Sequence, residues 1–207
     1  CCLQRGCTRM SLTTLKENSR DGRRARTRGR LLAAAEIVLS QRHVDGVTID
    51  ELVREAAVGR GSFYNHFKST DELAQAVAAD IRNEIDTLVQ HANAGITDPA
   101  LRLVRATCIG IQYALAHRER SRLWLNHGIP SPDPRATDNF GLVRDLRAGR
   151  QAGVFRFARD AIAVTVAVGI ITAAMRFALA SPKAVTVAYA TGVSAALLEA
   201  LGVERAQ

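Results

Sequence analysis

Residues 48–67 of the chain read TIDELVREAAVGRGSFYNHF, and this stretch predicts two short helices joined by a tight turn. Thr48 and Glu51 have the spacing of a capping box, in which the Thr hydroxyl accepts from the Glu N–H and the Glu carboxylate accepts from the Thr N–H. The apolar residues that follow share one side of the first helix. Residues 57–59, Ala-Val-Gly, interrupt this periodicity, so we predict that the first helix ends there.

The second predicted helix carries polar side chains suited to contact with DNA. Gly59 can act as its N-cap, and Phe63 and Phe67 then lie on its buried side. The residues that face away are Arg60, Ser62, Asn65 and His66, with Tyr64 near the edge. Arg and Asn pair with guanine and adenine edges in the major groove. On spacing alone, an ordinary amphipathic helix with a solvated polar side fits the pattern equally well.

The longer stretch from Thr27 to Leu73 resembles the DNA-binding domain of the tetracycline-repressor (TetR) family of transcriptional regulators. The matching elements are, in order, Leu31-Leu32, Ala34-Ala35, Thr48, Ala56-Ala57-Val58, Gly61-Ser62-Phe63-Tyr64, Phe67-Lys68-Ser69 and Glu72-Leu73. The resemblance is specific because several spaced elements agree in order.

This resemblance implies a role for each polar position. The residues implied to hold phosphates are Thr48, Tyr64, His66 and Lys68, and those implied to lie toward the bases are Arg60, Ser62 and Asn65. Gly61 would let the backbone come close to the duplex. The chain departs from the family pattern at His43 and Val44, where Gly and an aromatic are usual, and at Ala57 and Gly59, where Gly and Ser are common. These departures weaken the caps without removing the motif.

The positive charge of the chain is concentrated at its start. The formal net charge is +8, and residues 1–30 hold nine Lys or Arg against two acidic residues. We therefore predict a flexible basic tail over residues 1–24, whose neighbouring Arg26 and Arg28 contact phosphates or enter a narrow minor groove. The alternative is a disordered, solubilising terminus that binds any polyanion weakly.

The remainder of the sequence predicts helices throughout, with no convincing alternating segment. We expect an all-α fold in which residues 25–70 form a three-helix helix-turn-helix domain. Residues 71–207 then form a larger helical domain for effector binding and dimerisation. Asp98-Pro99 has the N-cap and N1 chemistry of a helix start.

Two apolar segments near the end predict a dimer. Residues 161–175 contain no charge, and residues 185–201 are nearly as apolar. A membrane span is disfavoured because the uncharged run is shorter than the roughly 18–20 residues that a bilayer requires. A helix that is apolar all round must be buried on all sides. We therefore expect a four-helix bundle made by two copies, packed through Ala, Gly169 and Gly192; a monomeric core is the alternative.

A dimer would place two DNA-reading helices on two half-sites of a palindrome. The TetR resemblance further implies repression of transcription and a small-molecule effector whose binding among the middle helices releases the operator. The candidate effector contacts are Cys108, Gln112, Tyr113, Trp124, His127, Phe140, Met175 and Phe177. Simple core packing is the alternative role for each of them.

Other functional classes have little support in the sequence. No nucleophile elbow, P-loop, zinc-protease or dinucleotide-binding motif is present, so we predict no enzyme and no cofactor. Cys1, Cys2 and Cys7 lack partners at metal-site spacing, which predicts no metal. A lone Cys108 and the absence of an apolar signal segment favour a cytoplasmic, nucleoid-associated protein. Two competing hypotheses are a sequence-indifferent DNA binder that uses the arginine-rich arm and a helical enzyme of unrecognised type.

Overall fold

The computed structural model describes residues 12–41, 44–128, 133–135 and 139–204. Within these ranges the regular structure is helical and no strand occurs, which confirms the predicted all-α fold. The α-helices are α1 (Leu12–Gln41), α2 (Ile49–Glu55), α3 (Arg60–Tyr64), α4 (Thr70–Ala92), α5 (Pro99–Ala116), α6 (Arg118–His127), α7 (Phe140–Gln151), α8 (Asp160–Ala180) and α9 (Val187–Ala200). The chain divides into two compact units, one ending at Leu73 and one beginning at Ala74.

The first unit is built on a small apolar core that α1, α2 and α3 share. Helix α1 supplies residues at helical spacing that are almost completely buried, namely Leu31, Ala34, Ala35 and Leu39. Leu52 and Val53 of α2 and Phe63 of α3 are buried with them. Because α3 is a single turn and a half, its position depends on this packing rather than on its own helical stability.

Helix α1 begins earlier than the sequence predicted. It runs continuously from Leu12 through the arginine-rich segment, so the predicted flexible tail is wrong for residues 12–24. That segment contains Leu, Lys, Glu and Arg, which favour helix, and no proline. The predicted tail over residues 1–11 lies outside the described residues.

The second unit is arranged around α5, which packs against α6, α7, α8 and α9. The predicted helix start at Asp98-Pro99 is confirmed, because the Asp98 side chain accepts from the N–H groups of Ala100 and Leu101. One apolar cluster of buried residues joins α5 to α7, α8 and α9. It includes Leu103, Leu146, Phe155, Val164, Leu197 and Leu201.

Only one side of α8 and α9 is covered within a single chain. Ile162 is 52% exposed, Phe177 39% and Val187 84%, although all three are large apolar residues. Apart from adjacent residues and the backbone of the same helix, no atom of the described residues lies within 4 Å of where a Cβ would stand on Gly169 or Gly192. By length and composition α8 also meets the criterion for a membrane span, a test that the core helices of soluble proteins pass as well. Ala163, Val164 and Ala167 of α8 are fully packed in the apolar cluster.

Candidate nucleic-acid interface and cavity

The turn between α2 and α3 is fixed by the local chemistry that the sequence indicates. The capping box is formed: the Thr48 hydroxyl accepts from the Glu51 N–H at 3.3 Å, and the Glu51 carboxylate accepts from the Thr48 N–H at 2.9 Å. Gly59 is the N-cap of α3, in an extended conformation. Ala57 has a φ of +48°, a left-handed conformation that is more favourable for glycine. The Arg30 guanidinium donates to the Ala57 carbonyl at 2.7 Å and holds the turn against α1.

Helix α3 and the turn after it separate apolar from polar side chains. Phe63 and Phe67 are buried, with 0% and 3% of their surface exposed, as predicted. On the opposite side the exposed residues are Arg60, Gly61, Tyr64 and Asn65, and Ser62 and His66 are half-buried. Thr48 and Lys68 are also exposed. The Lys68 N–H donates to the Glu72 carboxylate at 2.6 Å, which ties the end of this segment to the start of α4.

Arg60 is already engaged by neighbouring side chains. Its guanidinium lies 3.2 Å from the Asp50 carboxylate, with 59% and 70% of the two side chains exposed. A hydrogen bond with Tyr64 and the charge of Asp50 both raise the pKa of Arg60. Because an exposed ion pair is screened by water and contributes little to stability, a nucleic acid can compete for this arginine. Asn65 is the exposed side chain on this surface that carries both an amide donor and an amide acceptor.

The five arginines of α1 from Arg23 to Arg30 divide into two groups. The side chains of Arg26, Arg28 and Arg30 each contact another residue of the first unit. Arg26 donates to the Gly22 carbonyl at 3.2 Å, and the Arg28 guanidinium lies 5.6 Å from the centre of the Phe67 ring. Arg23 and Arg24 instead line a groove of about 400 Å³, which we call the arginine groove. Its lining residues are Arg23, Arg24, Thr27, Ser62, Asn65 and His66.

The arginine groove places positive charge close to His66. Partial burial lowers the pKa of His66, and the charges of Arg24 and Arg28 lower it further. Our sequence interpretation placed Asn65 and His66 beside DNA but did not identify Arg23, Arg24 or Thr27. Helical spacing could have identified Arg24 and Thr27, because positions 24, 27, 31 and 34 share one side of a helix and α1 is helical throughout this range.

The second unit encloses a cavity of about 520 Å³ between α4, α5, α6, α7 and α8. Three of the eight predicted effector contacts line it: Trp124, Phe140 and Met175. The other five, Cys108, Gln112, Tyr113, His127 and Phe177, are not among the residues of its wall. Gln112 is exposed, and the ring of Phe177 instead stacks on Tyr189 with centres 4.7 Å apart.

The wall of this cavity combines apolar residues with a few polar groups. Leu103, Val168 and Ile171 form part of the apolar surface. One ion pair joins Arg82 to Asp86 at 2.9 Å, and a second joins Arg102 to Asp145 at 3.0 Å. Sequence reasoning missed these four residues because charged side chains on amphipathic helices usually face water.

Trp124 supplies an unused donor to the cavity wall. Its ring is 3% exposed, and its indole Nε1–H has no acceptor among the described residues. The Arg82 guanidinium lies 5.9 Å from the ring centre. A buried donor without a partner is unfavourable, so an acceptor that reaches this N–H when a molecule binds would be stabilising, although the nitrogen itself has almost no accessible surface in the structure.

The first unit has the capped turn, buried aromatic pair and exposed polar helix of a helix-turn-helix DNA-binding domain, and the second unit is a separate helical domain with a cavity. This combination defines a class of transcription regulators. Residues 31–77 match the model of the family described as bacterial regulatory proteins, tetR family. Residues 31–77 are therefore a tetR-family domain, and the chain as a whole has the fold of TetR-family regulators.

Solved structures agree with this assignment at the level of the fold. RolR in complex with resorcinol is 24% identical, with a TM-score of 0.64 over 89% of this chain and 91% of that chain. RolR without ligand is 26% identical, with a TM-score of 0.61 over 85% and 91%. A tetR-family regulator from a Shewanella species is 17% identical, with a TM-score of 0.75 over 86% and 99%. No curated protein sequence matched the chain. The family and these structures are transcription regulators rather than enzymes.

Proposed function

We propose that the chain acts as a dimeric repressor that binds a palindromic operator and is released from it by a small-molecule effector. The observation that carries the proposal is the exposed polar side of α3, held on a fully buried Phe63. A helix anchored in this way presents Ser62 and Asn65 at a fixed angle, as a base-reading helix in the major groove requires. The phosphate contacts would come from Tyr64 at the end of α3 and from three residues before and after this helix, namely Thr48, His66 and Lys68.

The proposed dimer forms through the uncovered sides of α8 and α9. We call this surface the α8–α9 face; its members are Ile162, Thr165, Gly169, Ala173, Phe177, Ala188, Thr191, Gly192 and Ala196, all exposed in the single chain. An exposed set of apolar and small residues on neighbouring helices, here with two threonines, is typical of an interface between subunits. A two-fold axis through it repeats the reading helix, and the symmetry of the operator mirrors that of the protein.

The proposed effector occupies the cavity of the second unit. Its volume lies within the range of small-molecule sites, and its wall is largely apolar with few polar groups. RolR, which shares the fold, was crystallised with resorcinol, a small aromatic molecule with hydroxyl groups. We therefore propose a small aromatic or apolar effector with an oxygen acceptor for the Trp124 N–H. It would release DNA only by binding one conformation of the dimer more tightly than the other.

Selection of bound fragments from the source genome tests this function directly. Purified full-length protein would be mixed with the fragments at moderate salt, and the recovered sequences would be compared in competition gel shifts against bulk DNA. Enrichment of one palindrome supports operator recognition. Equal binding to all fragments favours sequence-indifferent binding through the arginines, and no binding contradicts both.

Asn65→Ala is expected to weaken operator binding by about 1–3 kcal/mol and to relax preference at one base pair in each half-site. The amide is exposed beside the buried Phe63, so its removal leaves the fold intact. Fluorescence anisotropy with a set of single-base operator variants would measure both effects. Asn126→Ala, which removes an exposed amide from the second unit, should change neither. Unaltered base preference in Asn65→Ala contradicts the reading role.

Trp124→Phe is expected to weaken the response to the effector while leaving operator affinity in its absence unchanged. The substitution keeps an aromatic ring and removes the indole N–H, which corresponds to about 0.5–1.5 kcal/mol for one neutral hydrogen bond. Trp124 is the single tryptophan of the chain, so its fluorescence can screen hydroxylated aromatic compounds for binding to the wild type. Operator release would then be titrated in both proteins. An equal effector response in Trp124→Phe contradicts the proposed donor.

A further inference from the structure

The core-facing side of α1 continues past the core of the first unit. Leu31 and Ala34 lie on this side and are buried, and Thr27 and Arg24 extend the same side toward the N-terminus by two more helical turns. The same side of α1 therefore carries buried apolar residues at Leu31 and Ala34 and the guanidinium of Arg24 nearer the N-terminus. Its neighbours there are the polar residues Ser62, Asn65 and His66.

The arginine groove has the chemistry of an anion site. Its six lining residues include two guanidinium groups, the Ser62 hydroxyl and no carboxylate, while the Thr27 hydroxyl already donates to the Arg23 carbonyl at 3.0 Å. Arg23 and Arg24 are exposed, so their charges cost little to hold in the free protein. Burial is the main cause of the lowered pKa of His66, and the charges of Arg24 and Arg28 lower it further because they disfavour a further proton.

The shape of α1 limits which part of a DNA duplex can enter. A helix with its side chains is about 10–12 Å across, whereas the minor groove of B-DNA is about 6 Å wide. The helical segment of residues 21–30 therefore cannot lie in the minor groove as an extended arm does. Guanidinium groups beside a helix in the major groove instead meet the sugar–phosphate strand that borders that groove.

We propose that the arginine groove binds a backbone phosphate of the operator, with Arg23 and Arg24 as donors, directly beside the base that Asn65 contacts. This inference rests on the proposed operator binding and adds a site to it. The site couples the two recognition modes, because Asn65 belongs both to the groove and to the base-reading side of α3. A phosphate fixed in the groove sets the register at which the Asn65 amide meets its base.

The first test is the salt dependence of operator affinity for the double variant Arg23→Ala/Arg24→Ala. Neutralising a phosphate contributes about 0.9 to the slope of log affinity against log salt concentration. We expect the slope to fall by at least about 0.9 in magnitude, with the order of preference among single-base operator variants retained. Full-length protein and fluorescence anisotropy over a series of salt concentrations provide the measurement, and circular dichroism checks that the helix content is unchanged.

The control removes the same charge elsewhere. Arg122 and Arg135 are exposed and lie in the second unit, so Arg122→Ala/Arg135→Ala lowers the net charge equally without touching the groove. We expect its slope to equal that of the wild type. Equal slopes for the two double variants would overturn the inference and attribute any loss of affinity to net charge alone.

The second test locates the phosphate on the operator. Single phosphates would be replaced in turn by uncharged methylphosphonate, and each duplex would be titrated with the wild type and with Arg23→Ala/Arg24→Ala. At the contacted position we expect the replacement to weaken the wild type about tenfold and the variant much less, as for two partners of one charge-assisted contact. Equal weakening of both proteins at every position would overturn the inference. Failure of the wild type to prefer any operator would instead contradict the proposed function.

Discussion

Gly192→Glu is expected to convert the proposed dimer into monomers and to lower operator affinity by at least about two orders of magnitude. The α8–α9 face is apolar, and two-fold symmetry would bury two new carboxylates in one interface. An uncompensated buried charge costs about 3–5 kcal/mol, which corresponds to a factor of more than a hundred in the association constant. A monomer would retain contact with one half-site only. Light scattering after size exclusion measures the mass, and anisotropy measures the affinity.

The helical position of Gly192 keeps this test interpretable. Gly192 is exposed inside α9 and has open space around its Cα. Glutamate has the higher helix propensity, so the substitution does not destabilise the folded single chain. Ala148→Glu adds the same charge at an exposed position of α7, outside the α8–α9 face, and should remain dimeric. A Gly192→Glu protein with the wild-type mass would exclude the α8–α9 face as the interface.

Phe63→Ala is expected to destabilise the first unit by about 3–5 kcal/mol and to abolish operator binding. Phe63 has no exposed surface, and its ring centre lies 6.1 Å from that of Phe67 and 5.6 Å from that of Tyr64. Removing the ring leaves a void under a five-residue helix that cannot hold its own conformation. Chemical denaturation followed by circular dichroism measures the loss of stability, and anisotropy measures the loss of binding.

Tyr64→Phe is the matched control for that substitution. Tyr64 is the next residue and is 51% exposed, so losing its hydroxyl leaves the core of the first unit unchanged. We expect a wild-type denaturation midpoint and a small loss of affinity that is the same for all operator variants, as a phosphate contact predicts. If Phe63→Ala unfolds no more readily than Tyr64→Phe, the reading helix does not depend on its aromatic anchor.

The parts of the structure that the sequence predicted are those fixed by neighbouring residues. The capping box at Thr48, the N-cap at Gly59 and the helix start at Asp98 each depend on side chains two or three positions apart. The burial of Phe63 and Phe67 follows from their four-residue spacing. Such local rules can be applied to the sequence without knowledge of any tertiary contact.

The features that escaped prediction depend on residues far apart in the chain. Arg102 and Asp145 are 43 positions apart, and only the packing of α5 on α7 brings them together in the cavity wall. The helical start of α1 was missed because its arginine density suggested a tail, whereas helix propensity favours the helix. The effector contacts were chosen as conspicuous residue types on apolar helices, and periodicity does not distinguish a cavity wall from packed core.

The uncovered side of α8 and α9 has a consequence for the life of the protein in the cell. If the dimer forms as proposed, a newly made chain leaves Ile162 and Phe177 in water until a second copy covers the α8–α9 face. By mass action, resistance to unfolding and to proteolysis then rises with the amount of protein present. Scarce copies of such a regulator spend longer alone and are degraded sooner, so its lifetime in the cell depends on its own abundance.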